Sequence, residues 1–142
     1  MEKATVAMSA DYDAETLVRM FEPKSVLQIG CEDVELVKAL LMQGVSAYGL
    51  ADSEIDLTDI DDYTADHILV GDIGNIWLPK YDLIIAINYL EFLDEPKLAS
   101  VNSFIDNHGK SAYAKVVTKK TGGKYRIEWW QNKMPDVFFD EY

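Results

Sequence analysis

The stretch SVLQIGCEDVELVKAL, residues 25–40, reads as a strand, a tight turn and the start of a helix. Residues 25–30, SVLQIG, have the apolar run of a buried strand, interrupted only at Gln28. Residues 33–43, DVELVKALLMQ, put Val34, Val37 and Leu41 at helical spacing with Leu36 and Leu40 beside them. Gly44 stops that helix, and residues 45–50, VSAYGL, are the next strand. In many α/β proteins glycines in such a turn let the backbone cradle a nucleotide. Here only Gly30 remains, and Glu32 and Asp33 stand where bare backbone would be expected.

The same pattern extends outward. Residues 14–21, AETLVRMF, are a short amphipathic helix with Asp13 as N-cap and Pro23 as terminator. Beyond an acidic connection over residues 51–66, HILV (67–70) is a short strand. DLIIAI (82–87) is the clearest strand, apolar on both faces as in a central parallel strand. A small helical connection is expected around Asn75–Lys80. Asp94 caps a helix over 95–107, with Pro96 tolerated in its first turn and Asn107 to Gly109 ending it. Residues 112–118 return as a strand, and after the turn TGGK, YRIEWW (125–130) is expected to close an antiparallel hairpin. Residues 134–142 give no assignment. Strands alternating with helices imply one α/β domain over 1–142. Its expected core is a Rossmann-like, mostly parallel sheet flanked by helices, ending in that C-terminal hairpin. Ligands of such sheets sit beyond the carboxyl ends of the strands. Those ends are Gly30–Asp33, Ala51–Ser53, Gly71–Ile73 and Asn88–Glu91.

Bulk properties narrow the function. A chain of 142 residues buries a core without staples, and its one cysteine, Cys31, leaves no internal disulfide or cysteine-cluster metal site. The net charge of −12 argues against a nucleic-acid partner. No apolar run reaches the ~20 residues of a membrane span, and the N-terminus lacks a signal pattern. A cytoplasmic setting is expected. The charge is uneven: residues 1–108 are net −15, whereas residues 109–133 carry seven basic side chains and one acidic. That basic segment is a solvated hairpin or a patch for an anionic substrate or acidic partner.

Three segments together resemble the class I S-adenosylmethionine-dependent methyltransferases. SVLQIGCEDVELVKALLMQGVSAYGLADSE (25–54) is similar to that family's first motif, helix and second strand. HILVGDIGNIWLP (67–79) is similar to its adenine-contacting segment, and KYDLIIAINYLEFLDEP (80–96) to its fourth motif. The resemblance implies S-adenosylmethionine as cofactor and Gly30, Cys31, Asp52, Asp72, Ile73 and Asn88 as its contacts. In these roles the turn approaches the methionine part, Asp52 accepts from ribose, Asp72 accepts from the adenine amino group, and Asn88 lies near the methyl group. A carboxylate suits ribose because it accepts two hydrogen bonds at once. The chain departs from the pattern at Gln28, where the family has an acid, at Glu32 and Val34, where it has glycines, and at Ala51, one position before Asp52.

The resemblance therefore implies methyl transfer to an unidentified small-molecule or protein acceptor. The alternative is a non-catalytic module with the same fold that acts through protein–protein contacts. The catalytic base is not assigned. His108, at a helix end, and Glu91 are candidates beside Asn88. Read as a calcium loop from Asp52, the acidic segment has Leu57 and Tyr63 where Gly and Glu belong, so no metal is expected. Trp129 and Trp130, read as part of a strand with two apolar faces, suggest a homo-oligomer contact through the C-terminal aromatic segment.

Overall fold

The computed structural model describes residues 2–142, with side chains from Ala10 onward. Its elements run α1 (Glu2–Phe21), β1 (Ser25–Ile29), α2 (Glu35–Met42), β2 (Ser46–Ala51), α3 (Asp62–Ala65), β3 (Ile68–Val70) and β4 (Tyr81–Ile87). They continue with α4 (Glu95–His108), β5 (Gly109–Val116), α5 (Ile127–Lys133) and β6 (Phe138–Glu141). The six strands form one sheet in the order β3-β2-β1-β4-β5-β6, and every neighbouring pair is parallel. This is the Rossmann-like α/β sheet that the alternating pattern implies.

Strand alternation divides the core. Val26, Leu83, Ile85 and Tyr113 face α1 and α2, where Ala14, Leu17, Val37 and Leu40 cover them. Leu27, Ile29, Ile84 and Ala86 face the opposite way, against Val101, Phe104, Trp130 and Met134 of the C-terminal half. Gly44 takes φ +84 just after α2, the left-handed conformation that reverses a chain at a helix end. Asp94 caps α4 by accepting the Lys97 backbone N–H at 2.9 Å.

Four local expectations are corrected. α1 begins well before residue 14, so Asp13 lies within it rather than capping it. No helix forms at Asn75–Lys80; a turn at Ile73–Asn75 takes its place, held by the Asp72 carboxylate. YRIEWW is not a strand, and the antiparallel hairpin does not exist. Ile127–Lys133 is α5, and the sixth strand is β6, paired parallel to β5 with Tyr113 opposite Phe138. The aromatic residues that suggested a strand serve a helix that buries one ring. Trp130 is 2% exposed against Phe139, while Trp129 stacks on Tyr125 with centroids 3.7 Å apart. The unassigned stretch of sequence, residues 134–142, thus supplies an edge strand.

Candidate functional site

The carboxyl ends of β1, β2, β3 and β4 lie side by side, and each presents a residue singled out from the sequence. Gly30 follows β1 at φ +63, where the chain turns sharply out of the sheet. Asp52 follows β2, whose last residue, Ala51, is buried. The exposed acid at this strand end is therefore Asp52. Asp72 follows β3 and is exposed. Asn88 follows β4 at φ +52, a left-handed conformation that Asn tolerates better than most side chains.

These residues do not form one open cleft. The Tyr89 ring lies directly over Gly30, so that a Cβ at Gly30 would overlap it. The Tyr89 hydroxyl donates to the Asp52 carboxylate at 3.0 Å. Burial, and then the Asp52 charge, push the phenol well above its ordinary range, so it stays a donor. Asp72 is engaged as well. It accepts from the Gly74 backbone at 3.1 Å, from the Asn75 amide at 3.1 Å and from Lys97 Nζ at 3.1 Å. The Gly74 N–H, then Lys97, hold its carboxyl below the usual range. Ile73 is buried at 5% exposure, and Cys31 at 1%. The Cys31 side chain belongs to the α1/α2 core, so at Gly30 and Cys31 the turn offers a ligand backbone rather than side chain.

Asn88 opens elsewhere. It lines a cavity of about 440 Å³ on the α1/α2 side of the sheet, with Gln28 and Ile87 from neighbouring strand ends and Asp13 from α1. Tyr142 and Lys115 close the far side, with Lys115 Nζ 4.8 Å from the Tyr142 ring centroid. Neither Gly30, Asp52 nor Asp72 reaches this cavity. Of the six expected contacts, Gly30 and Asp52 form a strip under Tyr89, Asp72 stands at the next strand end, Cys31 and Ile73 are buried in the core, and Asn88 lines the cavity. The sequence marked Asp13 only as a helix cap and Lys115 only as part of the basic segment, because their place in the cavity depends on how α1, β5 and β6 pack. Gln28 did carry a signal, as the one polar residue in the run SVLQI.

Two acids of the loop over 51–66 are turned to their own backbone. Asp56 accepts from Thr58, and Asp61 caps α3 by accepting from Thr64. Among the described residues, no group of three or more metal-ligating side chains converges. No helix among them is long and apolar enough to cross a membrane. His108 Nδ1 lies 3.1 Å from the Phe104 carbonyl oxygen, and its ring stacks on Phe104. Glu91 accepts the Val117 N–H at 2.7 Å.

No protein-family model matches the sequence, and no curated protein matches it. Solved structures do match. A protein from Methanococcus maripaludis assigned to the S-adenosyl-L-methionine-dependent methyltransferases superposes with a TM-score of 0.63 at 25% identity, over 95% of this chain and 69% of that one. DesVI of Streptomyces venezuelae matches with a TM-score of 0.63 at 21% identity, over 83% of this chain and 54% of that one. The glycopeptide N-methyltransferase MtfA, in its complex with sinefungin, matches with a TM-score of 0.58 at 15% identity, over 72% of this chain and 50% of that one. The chain thus spans about half the length of MtfA and DesVI. The fold is the Rossmann-like fold of S-adenosylmethionine-dependent methyltransferases.

Proposed function

We propose that the chain binds S-adenosylmethionine along the carboxyl edge of its sheet and transfers the methyl group to an acceptor. One observation carries this reading. A left-handed glycine turn, Asp52 and Asp72 stand in order at the ends of three adjacent parallel strands, with Asn88 on the next strand along. The methyltransferase fold supports the same reading, and the likeness to the Methanococcus maripaludis protein covers nearly the whole chain.

The residues present fit the cofactor. Asp52 already receives an O–H from Tyr89, the same chemistry by which it would receive a ribose hydroxyl. Asp72 is an exposed, ionised acceptor suited to an amino group, and Gly30 carries no side chain of its own beneath the Tyr89 ring. Tyr89 shares the strip, so occupancy of the strip requires its ring to turn aside. What the bound cofactor supplies is an electrophilic methyl group on a positively charged sulfur. The acidic strand ends favour that charge, and Asn88 is the strand-end residue that lines the neighbouring cavity. Positioning of an acceptor in that cavity is the contribution asked of the protein.

Calorimetry with S-adenosylhomocysteine tests the reading. Saturable binding is expected, weakened about tenfold or more by Asp72→Ala, the loss of one charge-assisted hydrogen bond. Neither heat nor a thermal shift at millimolar ligand would overturn it.

A further inference from the structure

A second cavity, of about 410 Å³, lies on the β5/β6 side of the sheet. Thr118, two residues past β5, and Glu141, the last residue of β6, both line it. It therefore sits at the carboxyl ends of these strands, where parallel sheets take their ligands. None of its lining residues is one of the six expected cofactor contacts.

The cavity gathers charge that the rest of the fold leaves unused. Lys119, Lys120 and Arg126 line it. Among the described residues, none of these three lies within ion-pair distance of a carboxylate, whereas Lys38, Lys97, Lys110 and Lys133 each do. Glu128 and Glu141 share the lining, and Glu141 accepts from the Thr118 hydroxyl at 2.6 Å. Three cations against two carboxylates leave a positive cavity in a chain of net charge −12. Backbone contacts hold the cations there. The Thr118 carbonyl accepts from the Thr121 N–H at 2.9 Å and the Gly123 N–H at 2.7 Å, and the Lys119 N–H donates to the Tyr125 carbonyl at 2.8 Å. Gly122 turns the chain at φ +97. The loop thus brings Arg126 back to the side of Lys119 and Lys120 before α5 begins, and Tyr125 stacks on Trp129 to tie it to that helix.

We propose that this cavity binds a small phosphorylated molecule, with its phosphoryl group on Lys119, Lys120 and Arg126. A phosphoryl group at neutral pH carries close to two negative charges and three acceptor oxygens. The guanidinium offers paired donors to such oxygens, and the two ammonium groups add point charges. No ion pair has to break to admit it. The volume is more than a free phosphate fills, so an organic body accompanies the group. Hydroxyls on that body suit Glu128 and Glu141, which accept but do not donate.

The experiment follows the backbone amides of Lys119, Gly122, Gly123 and Arg126 by nuclear magnetic resonance in the full chain. Glycerol 3-phosphate is titrated at constant ionic strength, with glycerol and acetate as controls. The expected result is a saturable shift with the phosphate ester alone, weakened about tenfold in Arg126→Ala and in Lys120→Ala, as for the loss of one charge-assisted contact. Lys110→Ala, which removes a cation outside the cavity, should leave the affinity unchanged. No saturable shift, an equal response to glycerol or to acetate, or undiminished affinity in both cavity variants overturns the proposal. An equal loss in Lys110→Ala overturns it too, because the binding would then be diffuse attraction to charge. Inorganic phosphate is the last arm. Affinity at least tenfold below that of the ester supports an organic body, and equal affinity overturns that part in favour of free phosphate.

Discussion

The Tyr89 hydroxyl donates to Asp52 at 3.0 Å while its ring covers Gly30, so one side chain bridges the turn after β1 and the end of β2. The hydrogen bond fills the acceptor that a ribose hydroxyl would use. Tyr89 is therefore a competitor built into the strip, and its removal has a defined sign.

Tyr89→Phe keeps the ring and deletes the donor. The ring then leaves more readily, and Asp52 is free to accept from a ligand. Affinity for S-adenosylhomocysteine should rise about tenfold, the worth of one hydrogen bond to a charged group. Calorimetry on the two proteins decides it; a lower affinity in the variant would mean that Tyr89 holds the ligand rather than its place.

Gly30→Ala meets two obstacles. Its φ of +63 costs an L-residue roughly 1–2 kcal/mol, and the new methyl group displaces the Tyr89 ring at a further cost of about 1–3 kcal/mol. Only the second penalty depends on the ring. In a Tyr89→Ala background the substitution should therefore cost less, a coupling that a double-mutant cycle in urea would read directly. Equal costs in both backgrounds would refute the contact.

Cys31 gives a pH signature. Burial first, then the charges of Asp33 and Glu32, push its thiol up to about 12 from 9.0. Between those values the unfolded thiol ionises and the folded one keeps its proton. The folded state then binds more protons, so this contribution is whole below pH 9.0 and shrinks as pH rises toward 12. The slope approaches about 1.4 kcal/mol per pH unit. Tyr89 and Tyr113 are shifted in the same direction by burial, so the comparison must be with Cys31→Ala, whose alkaline slope should be shallower. Parallel curves would show that the thiol is not the cause.

The sheet was legible where local and global signals agreed. The unbroken apolar run at Leu83–Ile87 can only be an interior strand, and Asp94 with Pro96 marks a helix start by backbone chemistry alone. YRIEWW misled because aromatic and β-branched residues favour strands locally, whereas burial of Trp130 against Phe139 decides the outcome. The site was legible strand end by strand end, since Asp52 and Asn88 follow β2 and β4 directly and Asp72 follows β3 by one residue. What lies across those ends was not. Whether Tyr89 covers Gly30, or Asp13 approaches Gln28, depends on packing between segments far apart in the chain, which no local pattern encodes.

The crossover from β3 to β4 has a dynamic consequence. Residues 71–80 make it without a helix, and Ile73 and Leu78 plug that corner of the sheet while Trp77 stands 83% exposed. β3 is three residues long and has one neighbouring strand. Its amides should be the first in the sheet to exchange with deuterium, opening locally long before the molecule unfolds. Asp72 closes that strand, so a ligand gripping its carboxylate would slow exchange most at the frailest edge. Protection there would map the bound state without any turnover being observed.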